Sequence, residues 1–147
     1  MAGTVIADKV EAASTSQLVI KNGVANTPPT IQDSGGTEVG TLCRAWVNFN
    51  GTGTVAIRSS FNVSSITDNG TGNYTINFTT ALPDANYVVA IGAGQLNIDT
   101  IQYASIHASN ANGTATLKST TQLQIATGRT NTATLIDNAE VSIAIFR

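Results

Sequence analysis

Apolar and polar residues alternate with a period of two along much of this chain, and no other feature narrows its fold so far. Tyr74, Ile76 and Phe78 alternate with Thr75, Asn77 and Thr79. Val55, Ile57, Phe61 and Val63 are interleaved with Ala56, Arg58, Ser60 and Asn62, and Tyr87, Val89 and Ile91 resume the pattern after the turn Leu82-Pro83-Asp84. Successive side chains of a strand point to opposite faces, so each run has one dry face and one wet one. Short alternating runs with turn signals between them predict an all-β fold, an antiparallel β-sandwich of jelly-roll-like or immunoglobulin-like type.

The turns are legible too. Asn50-Gly51, Asn69-Gly70 and Asn112-Gly113 supply the positive φ angles that tight hairpins demand. Further strands are expected around Ile101 to Ala108, Thr114 to Ser119, Leu123 to Thr127 and Ala139 to Phe146, about eight in all. In the last of these Val141, Ile143 and Ile145 share one face, which marks a strand that is part of the sheet and tolerates no truncation. Composition agrees with this reading. Thr, Asn, Gly and Ser make up 60 of 147 residues, and only 11% are charged against a usual ~25%. Thr favours strands while Asn and Gly favour turns.

Residues 1–40 read differently. Asn26-Thr-Pro28-Pro29-Thr followed by Asp33-Ser-Gly35-Gly36 interrupts any regular element. Leu18 and Ile20 allow a strand over Gln17 to Lys21, and Ile6 to Ala13 allows a short helix; period alone leaves both open. The expected organisation is an irregular arm over residues 1–40, which attaches or joins subunits, and a sandwich over residues 41–147. Its weak pattern gives the arm little to order against except partner subunits, so a homo-oligomer is expected.

Charge and cysteine content narrow the function. A net charge of -2, with seven scattered Lys and Arg, offers no basic stripe for phosphates, so no nucleic-acid partner is expected. The start MAGTVIADKV has no basic region and carries Asp8 where a secretory apolar segment would sit, so synthesis and assembly in a cytoplasm are expected. The most apolar run, YVVAIGAG from Tyr87, falls short of the ~20 residues of a membrane helix, so no membrane insertion is expected. The lone Cys43 allows neither an intrachain disulfide nor a cysteine zinc site.

Each candidate for chemistry has a plainer structural reading. Cys43 and His107 are formally a nucleophile and base, but no motif surrounds Cys43, and a buried inert cysteine is expected. Asp68, Asp84, Asp99 and Asp137 lie among Asn, Gly or Pro, where carboxylates cap turns rather than face one another across a glycosidase cleft. DNGTGN from Asp68 resembles a calcium loop in composition only, and a hairpin turn is expected there. Three copies of His107 on a trimer axis could hold a metal, but a hydrogen-bonded structural histidine is the simpler assignment. No enzyme activity, catalytic residue, cofactor or metal is expected.

Trp46, Phe49, Phe61, Tyr74, Phe78 and Tyr87 are six of the eight aromatics, mostly at inward positions, so their segment should be the core. Trp46 falls on the opposite strand face from Val47 and Phe49; a second core layer or a subunit interface would account for it. The same segment, RAWVNFNGTGTVAIRSSFNVSSITDNGTGNYTINFTTALPDANYVV from Arg44 to Val89, resembles a family of bacteriophage tail-fibre and virion structural proteins, including those of cyanophages. MAGTVIAD and TPPTIQDSGGTEVG from Thr27 resemble the N-terminal part of such fibres. The resemblance implies a non-enzymatic virion surface subunit, commonly a homotrimer, bound to other virion proteins and concerned with host attachment. A capsid decoration or baseplate connector that binds only virion proteins is the alternative.

The region after Gly92 matches no such family, as a host-range determinant would diverge. Its loops at Gly92 to Asp99, Asn110 to Gly113 and Gly128 to Asp137 are expected to face outward. Gln95, Asn97, Asp99, Asn110, Asn112, Arg129 and Asn131 are the candidate contacts to a host glycan or protein. Few aromatics follow Gly92, which weighs against sugar stacking in these loops.

Overall fold

A computed structural model describes residues 31–94, 101–106, 117–130 and 134–147. Its described elements are strands: β1 (Ile31–Gln32), β2 (Glu38–Gly40), β3 (Cys43–Asn50), β4 (Ala56–Phe61), β5 (Val63–Asp68), β6 (Asn73–Phe78), β7 (Val88–Gly94), β8 (Gln102–Ile106), β9 (Gln122–Arg129), β10 (Thr134–Leu135) and β11 (Glu140–Phe146). All pairings are antiparallel, so the all-β sandwich read from the alternation is the observed architecture. One sheet runs β4-β3-β11-β7. The other is built on β5-β6-β9, with β8 on β9. Because β8 occupies one edge of β9 from Ile125 to Arg129, β10 shares the opposite edge with β6.

The core lies between the sheets and follows the period-two pattern. Ala45, Val47 and Phe49 of β3 and Val141, Ile143 and Ile145 of β11 meet Tyr74, Ile76 and Phe78 of β6 and Leu123 and Ile125 of β9. Aromatic rings lock the layers. Phe49 and Tyr74 meet edge to face across the sandwich, with centroids 5.2 Å apart at 75°, and Phe78 meets Tyr87 at 6.0 Å and 76°. Such contacts add about 1 kcal/mol each to the burial of the rings.

The chain changes sheets at Asn62, between β4 and β5. Its φ of 56° is a conformation that costs an ordinary side chain about 1–2 kcal/mol. The Asn amide offsets that cost: Nδ2 donates to Arg44 O and Thr80 O, both at 3.1 Å, and Oδ1 accepts from Thr80 N at 2.8 Å. Asn62→Ala should therefore lower stability by about 3 kcal/mol in urea unfolding, while Asn62→Gly, which keeps the turn and loses the bonds, should recover about 1 kcal/mol of it.

The same corner explains one departure from the sequence reading. The run from Val55 to Val63 is not one strand but two, on different sheets; within β4 a bulge at Arg58, opposite the step from Asn48 to Phe49, reverses the faces and leaves Phe61 54% exposed on the outer side instead of in the core. The Asn-Gly turns also differ. At the ends of β3 and β5 the positive φ falls on Gly53, Gly70 and Gly72, not on Asn50 or Asn69, so both connections are longer than two-residue hairpins. DNGTGN forms a turn as expected, with Asp68 Oδ1 accepting from Gly70 N at 2.9 Å. Asn112-Gly113 lies outside the described residues, as do Ile6 to Ala13 and Gln17 to Lys21.

Asp33 to Gly36, expected only as an interruption, turn between β1 and β2, and Asp33 Oδ1 accepts from Gly35 N and Thr37 N, both at 2.9 Å. At the far end of the chain, Arg147 clasps Asp84, with Nε to Oδ1 at 2.9 Å and Nη2 to Oδ2 at 2.6 Å. Arg147, and then the Asn86 N–H, hold the Asp84 carboxyl below the usual carboxylate range. Since the folded value is the lower one, this pairing favours the fold at neutral pH and its contribution disappears as pH falls through that lowered value. In NMR titration the Asp84 carboxyl should respond at more acid pH than a free aspartate, and Arg147→Gln should raise it most of the way back, leaving the part due to the Asn86 N–H.

Candidate functional site

The two outer faces of the sandwich differ in chemistry. On β5, β6 and β9 the outward row is polar and in large part bonded within itself: Asn77 Nδ2 donates to Ser65 Oγ at 3.1 Å and Thr67 Oγ1 at 2.9 Å, and Asn69 Nδ2 to Thr75 Oγ1 at 2.8 Å. The outer face of β4-β3-β11-β7 is mixed. Register places Phe61, Trp46, Ala144 and Ala90 side by side in one row, and Ser59, Asn48, Ser142 and Gly92 in the next. Trp46 and Phe61 are 38% and 54% exposed, and Val88 at the start of β7 is 68% exposed. The expectation of a second core layer over Trp46 is thus overturned among the described residues: the ring stands on the outer surface.

This face has relief. Large rings on β3 and β4 form a ridge, and small residues on β11 and β7 form a trough. A depression of about 390 Å³ lies against Trp46 and Asn48 over Ala90, Gly92, Ser142 and Ala144. A second, of about 260 Å³, continues it over Gly92, Gly94, Glu140 and Ser142. Along its upper side Asn48 Nδ2 donates to Ser142 Oγ at 2.9 Å and to Glu140 Oε1 at 3.3 Å, and Arg58 Nη1 donates to Asn48 Oδ1 at 3.4 Å. Arg58 Nη2 also bonds Ala139 O. A row of neutral amide and hydroxyl groups with one cation and one anion is thus fixed beside an exposed indole.

Elsewhere the titratable groups serve the fold. Asp137 Oδ1 accepts from Gly72 N at 2.7 Å and from Tyr74 OH at 2.9 Å, and that hydroxyl also lies 3.1 Å from Gly51 O. Burial, and then the hydrogen bond to Asp137, drive the Tyr74 phenol well above its ordinary pKa. With Tyr74 fully buried, its proton is held as a structural tie rather than offered to a reactant. Tyr87 is pushed up to about 12 by burial, with Lys118 Nζ 5.1 Å from its ring centroid and donating to its carbonyl at 2.9 Å.

Cys43 is half-buried, not enclosed as expected, because it opens β3 at the rim of a depression shared with Leu42, Phe61 and Thr80. Its thiol donates to Ala45 O at 3.2 Å. His107 and Asp99 lie outside the described residues, and among those described no three His, Cys, Asp or Glu gather as a metal site would require.

Of the residues named as receptor contacts, Gln95, Asn97, Asp99, Asn110, Asn112 and Asn131 lie outside the described residues. Arg129 ends β9, paired with Gln102 of β8 and Thr134 of β10, and its Nε is buried. Gly92 to Gly94, taken as the start of an outward loop, belong to β7. Sequence reasoning placed recognition beyond Gly92 and so missed the ridge and trough, which come from strands up to a hundred residues apart. The available signal was Trp46 on the wet face of its strand. Comparison with protein-family models, with curated proteins and with solved structures finds no match to this chain.

Proposed function

We infer that this chain is a non-enzymatic structural subunit that works by self-association, in a virion fibre or comparable surface part concerned with host attachment. The observation that supports it is the exposed face of β4-β3-β11-β7, where Trp46, Phe61 and Val88 are partly open to solvent on a domain whose other described face is polar. Exposed apolar area of this kind marks an interaction surface. The virion setting rests on the resemblance of Arg44 to Val89 to fibre proteins, and binding to other virion proteins follows from that setting. The alternative of a capsid decoration or connector fits the same fold.

A second reading has its own observation. An indole beside Asn48, Ser142 and Glu140 has the makings of a saccharide seat, so a host glycan is the other partner to test. Immunogold labelling of particles from the native source, with an antibody raised against residues 41–147, tests the principal reading. Gold on the tail or capsid is expected; label confined to soluble cell protein overturns it.

A further inference from the structure

We propose that the outer face of β4-β3-β11-β7 seats a second copy of this chain, the Trp46–Phe61 ridge of each copy lying in the small-residue trough of the other. The inference rests on the self-association reading above and adds the surface, the geometry and the stoichiometry.

Glycine in the trough is the first argument. Gly92 and Gly94 sit in β7 with ordinary strand φ angles, and a Cβ added to either meets nothing within 4 Å. Neither turn geometry nor internal packing demands glycine there. Each costs a strand stability relative to a residue with a side chain. A glycine with no use among the described residues leaves room for something outside them, and close approach of another backbone is one of the recurrent reasons for glycine in a strand.

Shape and charge then say what approaches. A two-fold axis parallel to the strands, between β3 and β11, exchanges left and right and preserves height along the strands. It lays the ridge of β3 and β4 over the β11 and β7 trough of the other copy, row for row. Within each copy Asn48 bridges Arg58 and Glu140, so the rim of the contact carries no excess of one charge to oppose pairing. Area is sufficient for a reversible pair. Four strands at about 4.8 Å and seven residues at about 3.4 Å give a footprint of about 450 Å² per copy. The pair therefore covers about 900 Å² before side-chain relief is counted, close to the ~1,000 Å² at which specific interfaces begin. Because the contact is self-complementary it closes at two copies, so this face makes a dimer and not the trimer expected from sequence.

Sedimentation velocity on the full chain from about 1 to about 200 µM, with Trp46 emission read in parallel, tests the proposal. Wild type should pass from monomer to dimer over that range, and emission should shift to shorter wavelength as the indole leaves water. Gly92→Val fills the trough with a β-favouring side chain that its own chain can accommodate. It should keep or raise the thermal midpoint while weakening association by about tenfold or more. Ser142→Leu, on the neighbouring strand, is the second variant and should weaken association alike, with a lowered thermal midpoint because it gives up the bond from Asn48.

A monomer at every concentration removes both this contact and the self-association reading. An oligomer that both variants leave intact, or a trimer, overturns this contact alone and leaves that reading standing. Trp46 emission that ignores concentration and responds to added oligosaccharide assigns the face to a sugar and overturns the proposal.

Discussion

Gly72→Ala should leave the domain unfolded or stripped of most of its stability. Gly72 has a φ of +65°, and a Cβ there would stand 2.4 Å from Thr127 O, 2.7 Å from Ile136 N and 2.8 Å from Ile136 O. All three neighbours are backbone, so no rotamer change relieves the clash. The residue is also a junction: its N–H donates to Asp137 at 2.7 Å, and its carbonyl accepts from Thr127 N at 2.8 Å. Displacing it opens the β6–β9 pairing and the tie through Asp137 to Tyr74 together. We expect a loss of at least about 4 kcal/mol, most of what a domain of this size commonly holds. Gly53→Ala is the control, since Gly53 has a φ of +63° with nothing within 4 Å. It carries the backbone cost alone, about 1–2 kcal/mol. Chemical denaturation of both variants separates steric from conformational cost; equal losses would mean that the contact at Gly72 relaxes freely.

Phe49→Ala should be nearly as severe, at about 4 kcal/mol. The ring is fully buried near the end of β3 and reaches across the sandwich to Tyr74. Its removal opens a cavity between sheets that ladder hydrogen bonds hold in place, so the gap cannot close. Trp46→Ala, three residues earlier on the opposite face, should cost about half as much, about 2 kcal/mol in dilute solution, because that ring is already 38% exposed. Thermal unfolding at about 1 µM, where association is negligible, compares the two. A Trp46 loss as large as that of Phe49 would show that the indole belongs to the core after all.

That pair of residues also shows how far the sequence could be read. Alternation fixed the faces of β3, β6, β7 and β11 correctly, because period two is a property of the strand itself. It misplaced Phe61, since a bulge at Arg58 in the pairing of β3 with β4 reverses the faces of β4, and it ran β4 into β5, since the switch of sheets at Asn62 depends on a left-handed φ held by bonds to Arg44 and Thr80, neither of which is near in sequence. The turns were located but not fully typed: Gly70 of the Asn69-Gly70 pair carries a positive φ as expected, but Gly53 and Gly72, outside the Asn-Gly pairs, carry one as well. The ridge and trough were not readable at all. Trp46, Ala90 and Ala144 become neighbours only through the pairing of β3 with β11 and of β11 with β7.

That pairing has a consequence for how the protein is made. β3 and β11 are the earliest and latest long strands described, yet they lie side by side in the middle of one sheet. Until β11 has left the ribosome, β3 and β7 have no strand between them, and the core face of Val47 and Phe49 has no complete cover. Contacts this distant in sequence put the domain among slow folders, on a scale of milliseconds to seconds. During synthesis β3 and β7 must wait, with unpaired edges showing, for β11 to come between them. Stalled or truncated chains are then the species that aggregate, and yield in expression will depend on temperature and chaperone supply more than on the stability of the finished fold.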